Sequence, residues 1–200
     1  MSSFDYPLKH VRLEQLYQAG FNIADFVCFP PCQLDLEAVR KLFEKHGRIS
    51  LRHFHSDEDR KFACPFFPDQ DNWDTIQKLA IEHNREYYCL YNETIEPKDA
   101  EFTGNIVLED DRNYLVEYFM GPGTPRDIER KTNADGLKRF HRQIGIPMDP
   151  SAPEALKRLA AYFRNFLSTT RPIIIEFQIY PYPIGLRQTH DIAWEWRKWN

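Results

Sequence analysis

Two glutamates near the carboxyl end of the chain are the residues best suited to do chemistry. Glu176 lies in the nearly all-apolar run Ile-Ile-Ile-Glu-Phe-Gln-Ile, and Glu195 lies in Ala-Trp-Glu-Trp-Arg. A carboxylate inside an apolar strand is costly unless it is paired, protonated or bound to a metal. If the two runs form a hairpin, both acids can project from one face and form a site for magnesium. The competing interpretation pairs each glutamate, on a solvated edge strand, with Arg187, Arg197 or Lys198.

Three cations complement these acids. Lys9 begins the first predicted helix, Arg52 lies in the strand-like run Ile-Ser-Leu-Arg, and Arg197 follows Glu195 by two residues. Residues two apart on a strand share a face, so Arg197 and Glu195 are expected to point together. Arg and Lys bind phosphate oxygens while carboxylates bind magnesium, which is the combination that a metal-bound nucleoside triphosphate requires. Each cation is also compatible with an ordinary solvated surface charge.

A second group of residues allows a metal site of another kind. Cys28 and Cys32 in Cys-Phe-Pro-Pro-Cys, with His53 and His55 in Arg-His-Phe-His, could supply a zinc site with two sulfur and two nitrogen ligands. A zinc-stabilised nucleic-acid-binding protein is therefore one hypothesis. The cysteine spacing frames a Pro-Pro turn and no second cysteine pair follows, so the simpler interpretation is two reduced, partly buried thiols at the end of a strand.

Composition narrows the class of protein. The chain has 200 residues, 42% of them apolar, which is enough for one core or two small lobes. Its formal net charge of -4 does not favour binding to polyanions, so nucleic acid is not expected as a partner. The sequence has neither an apolar stretch of about 20 residues nor the apolar core of a signal peptide, which favours a soluble, cytoplasmic protein with no membrane partner. Walker, G-x-G-x-x-G and G-x-S-x-G motifs are missing from it.

Apolar periodicity and capping residues predict alternating helices and strands in the first half of the chain. Asp35 and Asn72 are candidate N-caps, and Gly47 stands where a helix ends. The polar, proline-bearing stretch 56–71 is expected to be a loop. The predicted helices are 8–19, 36–46 and 72–83, and the predicted strands are 21–29, 48–55 and 86–95.

The second half is predicted to be mainly antiparallel sheet. Two short strands meet at the turn 110–113, and two closing strands meet around Pro183-Ile-Gly185. Between them lie a loop at 121–136 and a helix at 153–168, which a capping box at Ser151 introduces. The predicted class is therefore α+β, with mixed or antiparallel sheets and flanking helices.

The order of these segments resembles the ATP-grasp, nucleotide-binding domain of phosphoenolpyruvate synthase and pyruvate phosphate dikinase. The run from Lys9 to Ile23 is similar to that family's opening, and Ile49-Ser-Leu-Arg52 is similar to its V-R-S-S strand. Cys89-Leu-Tyr-Asn92-Glu93-Thr-Ile95 is similar to the family's V-V-V-Q-x-M-V segment, which borders the adenine. The resemblance implies that Lys9 and Arg52 contact phosphate and that Asn92 and Glu93 bind the nucleotide.

The last two runs carry the closest similarity. Ile-Ile-Ile-Glu-Phe resembles the family's D-I-E-F strand, and Trp-Glu-Trp-Arg resembles its L-Q-x-R strand. The resemblance implies that Glu176 is a catalytic and metal-binding acid, that Arg197 is catalytic, and that Glu195 occupies the position of the family's glutamine. Because Glu195 is an acid at that position, we expect Glu176 and Glu195 to be the acidic pair that binds the metal. Ile174 replaces the first acid of the family's strand.

A two-lobed ATP-grasp-like protein follows from this resemblance. It implies an N-terminal lobe over residues 1–90 and a C-terminal lobe over 91–200, forming a single functional unit with the nucleotide between them. The implied ligands are ATP and magnesium, and the implied reaction is phosphoryl transfer or carboxylate activation on an unknown small-molecule or protein acceptor. The alternative is a degenerate, non-catalytic relative that senses nucleotide or binds other proteins.

Overall fold

A computed structural model describes residues 8–55, 64–108, 113–121, 138–143, 154, 157 and 173–198, and only the backbone at 8, 138–143 and 197–198. The chain divides into two compact units. The first contains Met1–Val11 and Ala24–Ile95, and the second contains Arg12–Ile23 and Glu96–Asn200. Both units are built on antiparallel sheets, which confirms the predicted α+β class.

The first unit is a four-stranded sheet with two helices packed on it. Each strand is antiparallel to its neighbours, and β4 occupies the position between β1 and β2. Helix α1 (Leu8–Ala19) begins in this unit and continues in the second. In spatial order the strands are β1 (Phe26–Phe29), β4 (Tyr88–Glu93), β2 (Ile49–Phe54) and β3 (Phe66–Gln70), and the packed helices are α2 (Leu36–His46) and α3 (Trp73–His83).

Capping residues fix the ends of α2 and α3 where the sequence predicts them. The Asp35 side chain accepts hydrogen bonds from the backbone N–H groups of Glu37 and Ala38, at 3.0 and 3.1 Å. Gly47 ends α2 with a φ of 72°, a left-handed conformation that glycine adopts without strain. The Asn72 side chain accepts from Thr75 N–H at 3.0 Å and starts α3.

One face of this sheet forms the core of the first unit. Alternate residues of β2 and β4 project toward the apolar faces of α2 and α3. The fully buried members of this core are Val39, Ile49, Leu51, Ile76, Ala80, Cys89 and Tyr91.

The second unit is a five-stranded antiparallel sheet in the order β7-β6-β5-β8-β9. A short 3-10 helix, Pro97–Asp99, precedes it. Its strands are β5 (Phe102–Leu108), β6 (Asn113–Met120), β7 (Lys138–Gln143), β8 (Ile173–Ile184) and β9 (Thr189–Lys198). Apolar residues from β5, β6 and β8 fill one face, including Ile106, Val116, Ile175 and Phe177.

A bulge interrupts the pairing of β8 with β9. Glu176 pairs with Glu195, whereas the next residue of β8, Phe177, pairs with Ala193. Trp194 is therefore an extra residue opposite β8. The bulge lies directly beside the two glutamates that the sequence singles out.

Asn22 joins the segment after α1 to the turn between β8 and β9. The Asn22 side-chain amide donates to the carbonyl oxygens of Ile184 and Asp191, both at 2.6 Å. Its side-chain oxygen accepts from the backbone N–H of Arg187 at 2.8 Å. These three bonds satisfy a side chain that is 1% exposed.

Two predicted segments differ from the structure, and one strand of the structure was not predicted. The strand predicted at 21–29 is limited to Phe26–Phe29, since residues 21–25 contribute instead to contacts such as those of Asn22. The loop predicted at 56–71 contains β3, despite Pro68 and a positive φ at Asp69. Strand β7 was not predicted, because its sequence Lys-Arg-Phe-His-Arg-Gln lacks an apolar alternation.

Other predictions fall outside the described residues. They include most of the loop at 121–136 and most of the helix at 153–168, of which Glu154 and Lys157 are described as helical. Among the helices described, none is long and apolar enough to cross a membrane.

Candidate functional site

A row of polar residues crosses four strands of the second unit. Glu117 on β6 pairs with Asn105 on β5, Asn105 pairs with Glu176 on β8, and Glu176 pairs with Glu195 on β9. Directly paired residues of antiparallel strands project from the same face, with neighbouring strands about 4.8 Å apart. The sheet therefore places the two predicted glutamates side by side, with Asn105 and Glu117 continuing the row.

This polar row is largely shielded from water. Asn105 is 1% exposed, Glu117 is 9% exposed, and the side chain of Glu195 is 26% exposed. Val107 and Ile174, which pair with each other and project from the same face, are buried beside Asn105 and Glu176. Charges in such surroundings interact more strongly than they would in bulk water.

Arg12 of α1 is a partner of the row that sequence analysis missed. Its Nη1 lies 3.7 Å from Oε1 of Glu195, and its side chain is only 12% exposed. The guanidinium also lies over the Trp196 ring, 5.3 Å from the ring centre. The residue types around Arg12 do not distinguish it from other cations on predicted helices, so the sequence gives no reason to prefer it.

A hydrogen-bonded network adjoins the row and holds its strands in place. Oε1 of Gln178 accepts from Trp194 Nε1 at 2.6 Å and from the Tyr180 hydroxyl at 2.8 Å. Nε2 of Gln178 donates to Oγ1 of Thr103 at 3.4 Å. The bulged residue Trp194 thus donates a hydrogen bond to Gln178, which lies two residues after Glu176 on β8. This bond restricts the movement of the hairpin.

In the first unit, Arg52 and Asn92 lie on one face of the sheet. Ser50 pairs with Asn92 and Arg52 pairs with Leu90, so the two side chains occupy neighbouring positions opposite the face that packs on α2 and α3. The Arg52 guanidinium lies 4.5 Å from the centre of the Phe66 ring. The structure thus brings together an arginine and an amide that were both assigned to nucleotide binding.

Glu93 lies on the opposite face of that sheet. Its Oε2 accepts from the backbone N–H of Asp25 at 3.2 Å, and its Oε1 lies 3.3 Å from Nδ1 of His46. These contacts hold β1 and the end of α2 against β4. The assignment of Glu93 to nucleotide binding stays a prediction.

Two further predicted residues are placed only in part. Lys9 lies in the first turn of α1 and is partly exposed. Arg197 lies in β9, where its backbone pairs with Ile174, and its side chain is outside the described residues.

The geometry of His53 does not favour the zinc hypothesis. Nδ1 of His53 donates to the Pro65 carbonyl at 3.0 Å, and Nε2 accepts from the Tyr91 hydroxyl at 3.3 Å. Both ring nitrogens are thus already engaged. Cys28 lies on β1, which β4 separates from the strand of His53.

The donor set of the polar row fits magnesium. Within the described part of the chain, no cluster of three or more His, Cys, Asp or Glu side chains could enclose a metal. Magnesium is commonly bound by one or two carboxylates, with water and substrate phosphates completing its six ligands. Glu176 and Glu195, adjacent on neighbouring strands, supply that number of carboxylates.

Comparison with solved structures assigns the fold to the ATP-grasp class. No protein-family model and no curated protein matches the sequence. The chain is similar to the D-alanine-D-alanine ligase from Coxiella burnetii, with a TM-score of 0.55 and 9% identity over 94% of this chain and 46% of that one. It is also similar to the macrocyclase MdnC from Microcystis aeruginosa MRC, solved with precursor peptide MdnA. The TM-score is 0.53, and the identity is 11% over 94% of this chain and 51% of that one.

A third similar structure carries the class in its name. It is the RimK domain protein ATP-grasp from Sphaerobacter thermophilus, with a TM-score of 0.51 and 15% identity over 94% of this chain and 57% of that one. The chain thus spans about half the length of these structures. The ATP-grasp part of the predicted resemblance is confirmed at the level of the fold. The narrower similarity to phosphoenolpyruvate synthase stays a prediction, since none of the three is such an enzyme.

Proposed function

We propose that this protein binds ATP with magnesium and transfers the terminal phosphoryl group to an acceptor, most simply a carboxylate that becomes an acyl phosphate. The observation that supports this best is the pairing of Glu176 with Glu195 on adjacent strands of an ATP-grasp-like fold. Two neighbouring carboxylates repel each other in shielded surroundings, and a divalent cation close to both would offset that repulsion.

Magnesium at these carboxylates would supply charge neutralisation for the phosphate oxygens. In this proposal Glu176 is the main ligand, and Glu195 is the second. The guanidinium of Arg12 lies beside the Glu195 carboxylate, with Nη1 3.7 Å from Oε1.

The remaining predicted residues are proposed to hold the nucleotide. Lys9, Arg52 and Arg197 are the proposed phosphate-binding cations, and Arg197 is the one proposed to stabilise the charge that develops during transfer. Asn92 and Glu93 are proposed to lie near the base. The position of Asn92 beside Arg52 on one sheet face supports its inclusion.

Calorimetric titration with ATP and magnesium tests the proposal. We expect micromolar binding by the wild-type protein and at least about tenfold weaker binding by Glu176→Gln, because an amide removes one negative charge from the cation site. Glu44→Gln is the matched control, since Glu44 is 60% exposed on α2 and the substitution makes the same chemical change. Equal affinity of Glu176→Gln and Glu44→Gln would contradict the proposed site.

Nucleotide sensing without turnover is the second candidate function. It is favoured by the Arg12–Glu195 ion pair, which already neutralises part of the charge that a catalytic cation would use.

The two candidate functions differ in whether an acyl phosphate forms. To separate them, the protein is incubated with ATP, magnesium and a set of candidate acceptors. The first acceptors to try are D-alanine and short peptides, which the names of two similar solved structures suggest. Hydroxamate formation on adding hydroxylamine, together with release of ADP, indicates turnover. ATP binding without either product supports sensing.

A further inference from the structure

We propose that the side-chain oxygen of Asn105 is a further ligand for a divalent cation held by Glu176, so that the site spans three strands. This inference deepens the proposed function and rests on its assignment of Glu176 as a cation ligand. Asn105 was not among the residues that the sequence singled out, because one amide in the run Phe-Thr-Gly-Asn-Ile-Val-Leu gives no pattern.

The position of Asn105 is set by the backbone. It is the direct partner of Glu176 on one side and of Glu117 on the other, so its side chain projects from the face that carries both carboxylates. Side chains paired in this way have Cβ atoms about 5 Å apart. That spacing allows oxygens from Asn105 and Glu176 to approach one cation, with metal–oxygen distances of about 2.0 to 2.5 Å.

The burial of Asn105 supplies an independent reason for a ligand. The residue is 1% exposed, and its Oδ1 has no hydrogen-bond partner among the residues that the structure describes. A buried amide oxygen without a partner costs free energy that water or a hydrogen-bond donor would otherwise recover. Gln178, in the hydrogen-bonded network that adjoins the polar row, differs in this respect, because its side-chain oxygen accepts two hydrogen bonds.

The charges of the neighbours favour a cation as the ligand. The amide oxygen of Asn105 lies between two glutamates, so a positive charge is attracted to it, whereas Glu117 and Glu176 repel an anionic group. Carboxylate and amide oxygens are the donors that hard divalent cations prefer. Magnesium and its spectroscopic substitute manganese are therefore the expected occupants.

Binding of Mn²⁺ alone, followed by electron paramagnetic resonance, tests the inference without nucleotide or turnover. We expect Asn105→Leu, which is similar in size to asparagine but has no oxygen, to bind Mn²⁺ about 10- to 100-fold more weakly than the wild type. Asn105→Asp is expected to bind Mn²⁺ more tightly than the wild type. Its melting temperature without metal should fall, because a third carboxylate joins Glu117 and Glu176.

Thr103→Val is the matched control for these variants. Thr103 is buried on the same strand and the same face, two residues from Asn105, and its hydroxyl accepts from Gln178. The control should melt at a lower temperature but keep the Mn²⁺ affinity of the wild type. If Asn105→Leu also keeps that affinity, or if the wild type binds no Mn²⁺, the inference is wrong.

The outcomes also separate this inference from the proposed function. If Glu176→Gln loses both Mn²⁺ and ATP while Asn105→Leu keeps Mn²⁺, the proposed function stands and the role of Asn105 fails. If Asn105→Leu weakens Mn²⁺ binding but no variant or wild-type protein binds ATP, the cation site stands and the proposed function fails.

Discussion

His53 illustrates how burial sets the chemistry of one residue. The side chain is 1% exposed, and its ring lies against the rings of Phe67, His83 and Tyr91. Burial lowers the pKa of His53 to about 4, the hydrogen bond to the Pro65 carbonyl opposes this, and the nearby charge of His83 adds to it. His53 is therefore neutral in the folded protein at neutral pH.

This pKa predicts an acid-dependent loss of stability. An unfolded histidine binds its proton near pH 6.5, whereas folded His53 does so only near pH 4. Between these values the unfolded state binds more protons, so the free energy of unfolding falls as the pH drops from about 6.5 to about 4. His53→Gln should remove up to about 3 kcal/mol of that pH dependence, as measured by urea unfolding at a series of pH values.

His190→Gln provides the comparison for this measurement. His190 lies in β9 of the second unit, where Nδ1 donates to the Tyr180 carbonyl at 3.0 Å. A change in pH dependence that appears equally in His53→Gln and His190→Gln would not be specific to His53. A wild-type slope that persists unchanged in His53→Gln would assign the effect to other groups.

At the scale of a single strand, Gly104 allows β5 to pack closely against its neighbours. A Cβ atom at this position would collide with the ring of Phe177 on β8 and would lie 2.7 Å from the backbone oxygen of Glu117 on β6. The second contact involves backbone, which cannot rotate away. A side chain here would push apart the strands that carry the polar row.

We therefore expect Gly104→Ala to destabilise the second unit by about 2 to 4 kcal/mol, through overpacking in the centre of the sheet. Thermal and urea unfolding measure the loss. The double variant Gly104→Ala, Phe177→Leu should recover only part of it, since the clash with the Glu117 oxygen remains. Full recovery would show that the ring alone limits the space, and no loss in the single variant would refute the close packing.

Local sequence determines some elements better than others. Helices α2 and α3 could be predicted because Asp35, Gly47 and Asn72 mark their ends, and each mark acts within four residues. Strand β3 could not, because its pairing with β2 outweighs the local preferences of Pro68 and Asp69. The pairing of strands that are distant in the chain cannot be predicted from the residues of one strand alone.

The same distinction applies to the candidate site. Glu176 and Glu195 could be found because acids in apolar runs are unusual. Their direct pairing, and the addition of Asn105 to the row, depend on a register that only the sheet reveals. Arg12 reaches Glu195 from a helix more than 180 residues earlier in the chain, a contact that spacing cannot indicate.

For the molecule as a whole, ligand binding should appear as stability. A ligand that binds only the folded state stabilises it by about 2.7 kcal/mol at a concentration 100 times its dissociation constant. ATP with magnesium should therefore raise the melting temperature of the wild type. EDTA should abolish most of that rise, because without magnesium the carboxylates of Glu176 and Glu195 would repel the phosphates. A rise that EDTA leaves intact would show that nucleotide binds without a cation.

The bulge at Trp194 makes the position of Glu195 depend on the number of residues in β9 as well as on their identity. Residues before the bulge alternate in one phase and residues after it in the other, so a regular strand of the same sequence would place Glu195 opposite Ile175 on the apolar face. Deleting Trp194 would leave Glu195 opposite Glu176, while a further residue inserted there and accommodated by regular pairing would shift it. We therefore expect this hairpin to tolerate the deletion of one residue at the bulge better than the insertion of one.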